Sequence, residues 1–198
     1  MNSRNIVVFI TLVAGVILVQ LVSRGQPGAS TAEESKTGIN NSATSSSTKI
    51  GDLLANVPDS WMGIRPSSSM RLMEFRLGSV ADDATLAIFK NIGGSIDDNL
   101  ERWSSQFGYL LSNSEVNIRA DNINGMQVSI ISILGTYTNT MVFPNATQPK
   151  PNYRLLGAIA DTPDGLYYFK LTGPNTMITG KAEEFMCFIQ SLRYDEIG

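Results

Sequence analysis

The chain has 198 residues, of which 42% are hydrophobic and 17% charged, a globular composition rather than a disordered or fibrous one. Fifteen Lys and Arg stand against eighteen Asp and Glu, so no global basic field exists to hold nucleic acid. The absence of His and the single Cys exclude intramolecular disulfides, zinc knuckles, iron–sulfur centres and most acid–base or metal-dependent catalysis, and no cofactor is expected.

The row IVVFITLVAGVILVQLV from Ile6 to Val22 is uncharged. Its length of about 17 residues gives a helix of ~25 Å at ~1.5 Å per residue, the short end of a bilayer span. Residues 1–24 therefore read as a membrane anchor or a signal segment, with Arg4 on the cytoplasmic side. A retained anchor is favoured over a cleaved signal, because the small-residue pairs Ser23/Gly25 and Gly28/Ser30 are interrupted by Arg24 or follow Pro27. Residues 25–51, rich in Ser, Thr, Gly and Asn, read as a flexible linker that lacks the apolar side chains needed to fold. The expected location is a bacterial inner membrane, single pass, with the domain on the extracytoplasmic side, or periplasmic or secreted if the segment is cleaved. Arg4, Arg24, Lys36 and Lys49 outnumber Glu33 and Glu34 in this first part, so the acidic excess lies in the domain of residues 52–198.

Within that domain Val57-Pro58 and Trp61 form an extended entry. MRLMEFRLG alternates, with Met73, Phe75 and Leu77 on one face, and ATLAIFKNI follows as its hairpin partner, buried on much of both sides. Gly93-Gly94 stops that strand. Ser95 and Asp98 then have capping-box spacing, and Ile96, Leu100, Trp103 and Phe107 make one helical stripe facing a sheet. Glu115 to Asp121 reads as a strand with Val116 and Ile118 inward, and Asn124-Gly125 as a tight turn. MQVSIISILGTYT has apolar residues at both parities, which implies a central strand. YRLLGAIADT and GLYYFKLTG flank the turn Pro163-Asp164-Gly165. A closing helix over Asn175 to Leu192 aligns Ile178, Ala182, Phe185, Ile189 and Leu192, leaving Cys187 on the opposite, solvent side. The order predicts an α+β fold, a mainly antiparallel sheet of about six or seven strands covered by helices as an α/β/α sandwich.

The residues WMGIRPSSSMRLMEF, GGSIDDNLERWSSQF, the strand end GTYT and PKPNYRLLGAIADTPDGLYYFKLTGP also resemble a group of bacterial exported and membrane-anchored proteins of the PsbP-like fold. The likeness covers nearly all of residues 55–194 and implies that fold. Its members mostly bind proteins, and the resemblance carries over no catalytic residues.

The acidic pairs Asp82-Asp83, Asp97-Asp98 and Glu183-Glu184 fall in a turn, a helix cap and a helix surface, all ordinary solvated positions. Ser67-Ser68-Ser69 and Cys187 lack a His to activate them. Asn91 to Ser95 has neither the Lys of a P-loop nor the third Gly of a dinucleotide fingerprint. Tyr137, Tyr153, Arg154, Tyr167 and Tyr168 gather near strand ends as a candidate aromatic mouth. The segment Asn139 to Asn152 is longer than a hairpin needs, with an apolar tip at Met141, Val142 and Phe143 and with Tyr137 and Arg154 at its base; these five residues are the candidate partner-binding surface. The functional expectation is a noncatalytic, membrane-tethered interaction domain, not an enzyme, with an unidentified envelope protein as partner. The alternative is a small-molecule or lipid-binding domain of the envelope.

Overall fold

Short apolar runs separated by turn residues fold as strands in the computed structural model, which describes residues 47–138 and 148–195. In chain order the elements are β1 Thr48–Ile50, β2 Leu53–Ala55, β3 Trp61–Ile64, β4 Met73–Leu77, β5 Thr85–Lys90, α1 Ile96–Ser105, β6 Val116–Ile123, β7 Met126–Tyr137, β8 Lys150–Thr162, β9 Gly165–Pro174, α2 Asn175–Gly180, α3 Ala182–Gln190 and β10 Arg193–Tyr194. The candidate tip Met141, Val142 and Phe143, and the apolar row Ile6–Val22, lie outside the described residues. Strand β1 stands among the last residues of the stretch read as linker.

Seven strands form one sheet in the order β3-β4-β5-β9-β8-β7-β6, every neighbour antiparallel. The chain leaves β5 in the middle of the sheet, crosses one face as α1, and re-enters at the far edge as β6. It then returns by hairpins to β9. The α+β class and the antiparallel sheet between helices are those expected from the sequence.

Two apolar clusters hold the layers together. Leu100 and Trp103 of α1, and Phe107 in the turn that follows the helix end at Ser105, meet Ile131, Ile133, Leu155, Ile159 and Tyr168 on one face. Ser95 caps this helix: its Oγ accepts from Asp98 N at 3.1 Å while the Asp98 carboxylate accepts from Ser95 N at 2.7 Å. Trp103 lies so close to β8 that a Cβ on Gly157 would stand 2.3 Å from its Cζ3. On the other face Phe185, Phe188 and Ile189 of α3 pack with Trp61, Phe75, Leu77 and Phe169.

Several details depart from the sequence reading. The central strand is β9, not β7, which is next to an edge. Ile118 is 40% exposed rather than inward, because β6 is the edge and α1 does not reach over it. The closing helix breaks at Lys181 after Gly180, whose poor helix propensity ends α2, and the stripe resumes in α3 with Phe188 added to it. In a second, three-stranded sheet, β1-β2-β10, the first described strand and the last both pair with β2, antiparallel. Cys187 is exposed, as its helical phase implied.

Candidate functional site

The α1 face of the sheet changes character where the helix ends. Residues that oppose one another across antiparallel strands share a face, so Glu74, Ala87 and Lys170, paired across β4, β5 and β9, project on the same side as Tyr168. Lys170 therefore sits beside the end of α1. Its Nζ donates to Oε1 of Gln106 at 2.6 Å, and the ammonium lies 5.5 Å from the centroid of the Tyr137 ring. Gln106, buried just past α1, also receives Thr138 through its backbone oxygen, from N at 2.7 Å and from Oγ1 at 3.0 Å. One glutamine thus joins the helix end, the lysine and the exit of β7.

Tyr137 continues the arrangement outward. It touches Phe107 at 5.4 Å between centroids and stacks on Tyr153 at 6.1 Å with 13° between the planes. Lys150 lies 5.2 Å over the outer ring, that of Tyr153. Two ammonium groups thus bracket a pair of stacked tyrosines. The geometry depends on an irregularity in β8. Gly135 pairs with Tyr153 but Tyr137 with Lys150, so β8 holds one extra residue there, and Asn152 takes up φ 54°. That bulge turns Lys150 and Tyr153, three apart, toward the same ring stack. Asp83 accepts from Tyr153 Oη at 2.5 Å and from Lys150, fixing the outer end.

Arg71 closes the inner end. Its Nη1 meets Oε1 of the buried Glu74 at 2.5 Å, its guanidinium lies 5.9 Å over Phe89, and Ser67 N donates to the other Glu74 oxygen at 2.7 Å. The segment from Ser67 to Arg71 is thereby folded onto the sheet.

The electrostatics follow from this packing. Burial, and then the neighbouring Arg71 charge, pull the Lys170 ammonium down to about 7. Burial raises the Tyr137 hydroxyl; Arg71 opposes that rise and Asp83 adds to it. Tyr153 is also raised, by burial and by its bond to Asp83. Burial pushes Asp83 up, but the bonds from Lys150 and Tyr153 outweigh it and the carboxyl is held below its ordinary value. Among the described residues Lys170 has no carboxylate partner: Gln106 and the Tyr137 ring hold it instead.

The residues singled out in the sequence do not all assemble. Tyr137 and Tyr153 meet, and Tyr168 lies farther along the same face beneath α1, 3.5 Å from Asn99 Nδ2. Arg154 points the other way, its Nε donating to Asn175 Oδ1 of α2 at 3.0 Å. Tyr167 also faces away and donates to Asp52 at 2.8 Å. One member of each of two acidic pairs is engaged where it stands: the exposed Asp83 anchors Lys150 and Tyr153, and Glu184 accepts from Trp61 Nε1 at 3.0 Å, Ser60 Oγ at 2.9 Å and Lys181 at 2.7 Å. Lys170, Gln106, Arg71 and Glu74 were not anticipated. The available signal was Lys170 itself, a charged residue at the same parity as Tyr168 in a run that otherwise reads as buried strand.

A cleft of about 590 Å³ opens on the opposite side, lined by Asp59, Glu183, Glu184, Cys187 and Ser191 among others. Its best-placed carboxylate, Glu184, is already engaged by three donors. Among the described residues no three acidic, Cys or His side chains gather as metal ligands, and no helix is long and apolar enough to cross a membrane.

No protein-family model matches the chain, and no curated protein matches it. It is similar to the solution structure of cyanobacterial PsbP (CyanoP) from Synechocystis sp. PCC 6803, 13% identical, with a TM-score of 0.46 over 72% of this chain and 86% of that one. It is also similar to PA94 from Pseudomonas aeruginosa, a protein of unknown function, 9% identical, with a TM-score of 0.36 over 73% of this chain and 93% of that one. Neither likeness carries the reading of the site, which stands on this chain's own residues.

Proposed function

We propose that the chain is a noncatalytic interaction domain that receives an acidic segment of an envelope protein on the part of the sheet beyond the end of α1. The observation that carries this reading is the state of Lys170: a lysine in a tight polar setting, next to Arg71, held by an amide oxygen and an aromatic ring where a carboxylate would serve better. A carboxylate brought by a partner would supply a charge-assisted hydrogen bond, stronger than the neutral one it supplements. The ring pair Tyr137–Tyr153 offers apolar area beside it, of the residue type that carries interface energy. In a domain whose charge is otherwise acidic, such a patch also orients the encounter.

In this proposal Ile6–Val22 is retained as the anchor and the Ser- and Thr-rich residues from 25 up to β1 are the tether, which keep the domain outside the cytoplasm close to the membrane that holds its partner. The test uses the full-length protein in its native membrane, with a photo-crosslinking residue in place of Met70, 64% exposed in the segment that carries Arg71. Discrete adducts whose mapped peptides are rich in Asp and Glu, lost on Lys170→Gln and kept on Lys36→Gln in the linker, are expected. Adducts that are unchanged by Lys170→Gln refute the assignment.

A further inference from the structure

The second edge of the sheet carries an independent feature. Among the described residues strand β6 is paired only with β7, and its residues Asn117 to Ala120 are exposed. The turn Asn124-Gly125, with φ of 50° and 87°, has two residues and closes on the pair Ile123–Met126. In such a hairpin the closing pair and every second pair from it exchange their backbone bonds. Asn117, Arg119, Asp121 and Ile123 thus direct their N–H and C=O groups to β7, and Val116, Ile118, Ala120 and Asn122 direct theirs away from the sheet. Two contacts agree with this phase. Leu134 N donates inward to Glu115 O at 3.4 Å, and Asn122 N has the Asp121 side chain as acceptor at 2.9 Å rather than a strand. An unpaired row of this kind is a template for another strand.

We infer that β6 is the contact by which the chain pairs with a second copy of itself, the two β6 strands running antiparallel about a two-fold axis at Ala120. The side chains select this occupant and this register. With Ala120 opposite its own counterpart, Arg119 of each copy faces Asp121 of the other, and Ile118 faces Asn122. A shift of two residues one way sets Arg119 against Arg119, and the other way Asp121 against Asp121, both repulsive. A shift of one residue sets opposing side chains on opposite faces of the sheet. The small side chain of Ala120 leaves the axis uncrowded. Within one copy Arg119 and Asp121 already meet at 3.4 Å with half of each side chain exposed, so both groups are at hand and weakly held. Pairing gives each a partner directly across the strands and extends two seven-stranded sheets into one.

The experiment is a charge swap on the full chain in nanodiscs or detergent, read as mass by sedimentation velocity, with thermal melting as the control for folding. The wild type is expected as a dimer and both Arg119→Asp and Asp121→Arg as monomers with unchanged melting. An equimolar mixture of the two variants is expected to recover the dimer, because each then supplies the charge that the other needs. A monomeric wild type, single variants that remain dimeric, or a mixture that stays monomeric each overturns the inference. None of these outcomes depends on Lys170, whose site lies away from this edge.

Discussion

The two faces of the sheet are built from similar residues and end in different chemistry. Beneath α2 and α3 the cluster around Phe169, Phe185 and Phe188 is apolar throughout, and the polar groups at its rim are paired with carboxylates: Asp52 with Lys90 and Tyr167, Glu184 with Lys181, Ser60 and Trp61. The face beneath α1 begins in the same way, with Leu100 and Trp103 over Ile131 and Ile159. Past Phe107 it turns into Gln106, Lys170, Tyr137 and Arg71. The cause is geometric. A single helix is about 10 Å across and strands lie about 4.8 Å apart, so α1 covers roughly two or three of the seven strands. Beyond the helix end Gln106, Tyr137 and the segment carrying Arg71 close over the sheet instead, and there a lysine stands on an otherwise apolar parity, held away from water by polar and aromatic neighbours.

The largest test of this contrast is at the helix itself. Trp103→Ala is expected to cost about 3–5 kcal/mol, as is Phe188→Ala on the opposite face, both measurable by urea denaturation. The two should differ in their effect on Lys170. Loosening α1 frees Gln106 and admits water, so Trp103→Ala should return the lysine toward its ordinary protonation range, while Phe188→Ala should leave it where it is. Competitive acylation of lysines in the native state across neutral pH reads this directly. Equal responses in the two variants would show that the helix end does not set the environment of Lys170.

A smaller loss is expected at Gly157→Ala. The added Cβ would meet Trp103 Cζ3 at 2.3 Å and Ile131 Cγ2 at 2.9 Å, so helix and strand must part by a fraction of an ångström, at roughly 1–3 kcal/mol. If the melt is unchanged, α1 does not rest on β8 as closely as the face comparison requires.

The parts of this structure that were legible in the sequence are those decided by neighbours along the chain. Ser95 and Asp98 form their reciprocal cap because the two lie three residues apart, and Ile96, Leu100 and Trp103 share a face through helical periodicity alone, while Phe107 joins them from the turn after the helix ends at Ser105. Strand order was not legible in that way. A strand buried on both faces has the same pattern wherever it stands, so β7 read as central, while β9 takes the centre through its pairing with β5, some eighty residues earlier. The same limit applies to the site. Tyr137 was singled out, but the bulge at Asn152 that turns Lys150 and Tyr153 toward it depends on a mismatch between two strands, and Arg154 is committed to α2 by the alternation that frees Tyr153. Lys170 was visible as an inward lysine; that α1 ends beside it was not.

The smallest effect is the most specific to the site and has a definite sign. Lys170 holds its proton to about 7 in the fold against an ordinary value of 10.5. Between those values the unfolded chain binds a proton that the folded chain has released, so unfolding takes up protons and stability rises with pH. Below about 7 both states carry the charge, the cost of keeping an ammonium in this setting is fully present, and the lysine contributes no slope. Lys170→Met should therefore lack a rise that the wild type shows from about pH 7 upward. Lys90 and Lys49, whose values are raised by Asp52 and Asp195 respectively, pull stability down at the alkaline end in both proteins and cancel in the difference. Urea midpoints of the two proteins from about pH 6 to about pH 10 give that difference, which should be flat at the acid end and then shift steadily in favour of the wild type. Arg71→Gln should narrow the window from below, because removing the neighbouring charge lets Lys170 keep its proton longer. Parallel pH curves for wild type and Lys170→Met would mean that the ammonium is hydrated in the fold, and the contrast between a closed face and a face with a charged margin would lose its central residue.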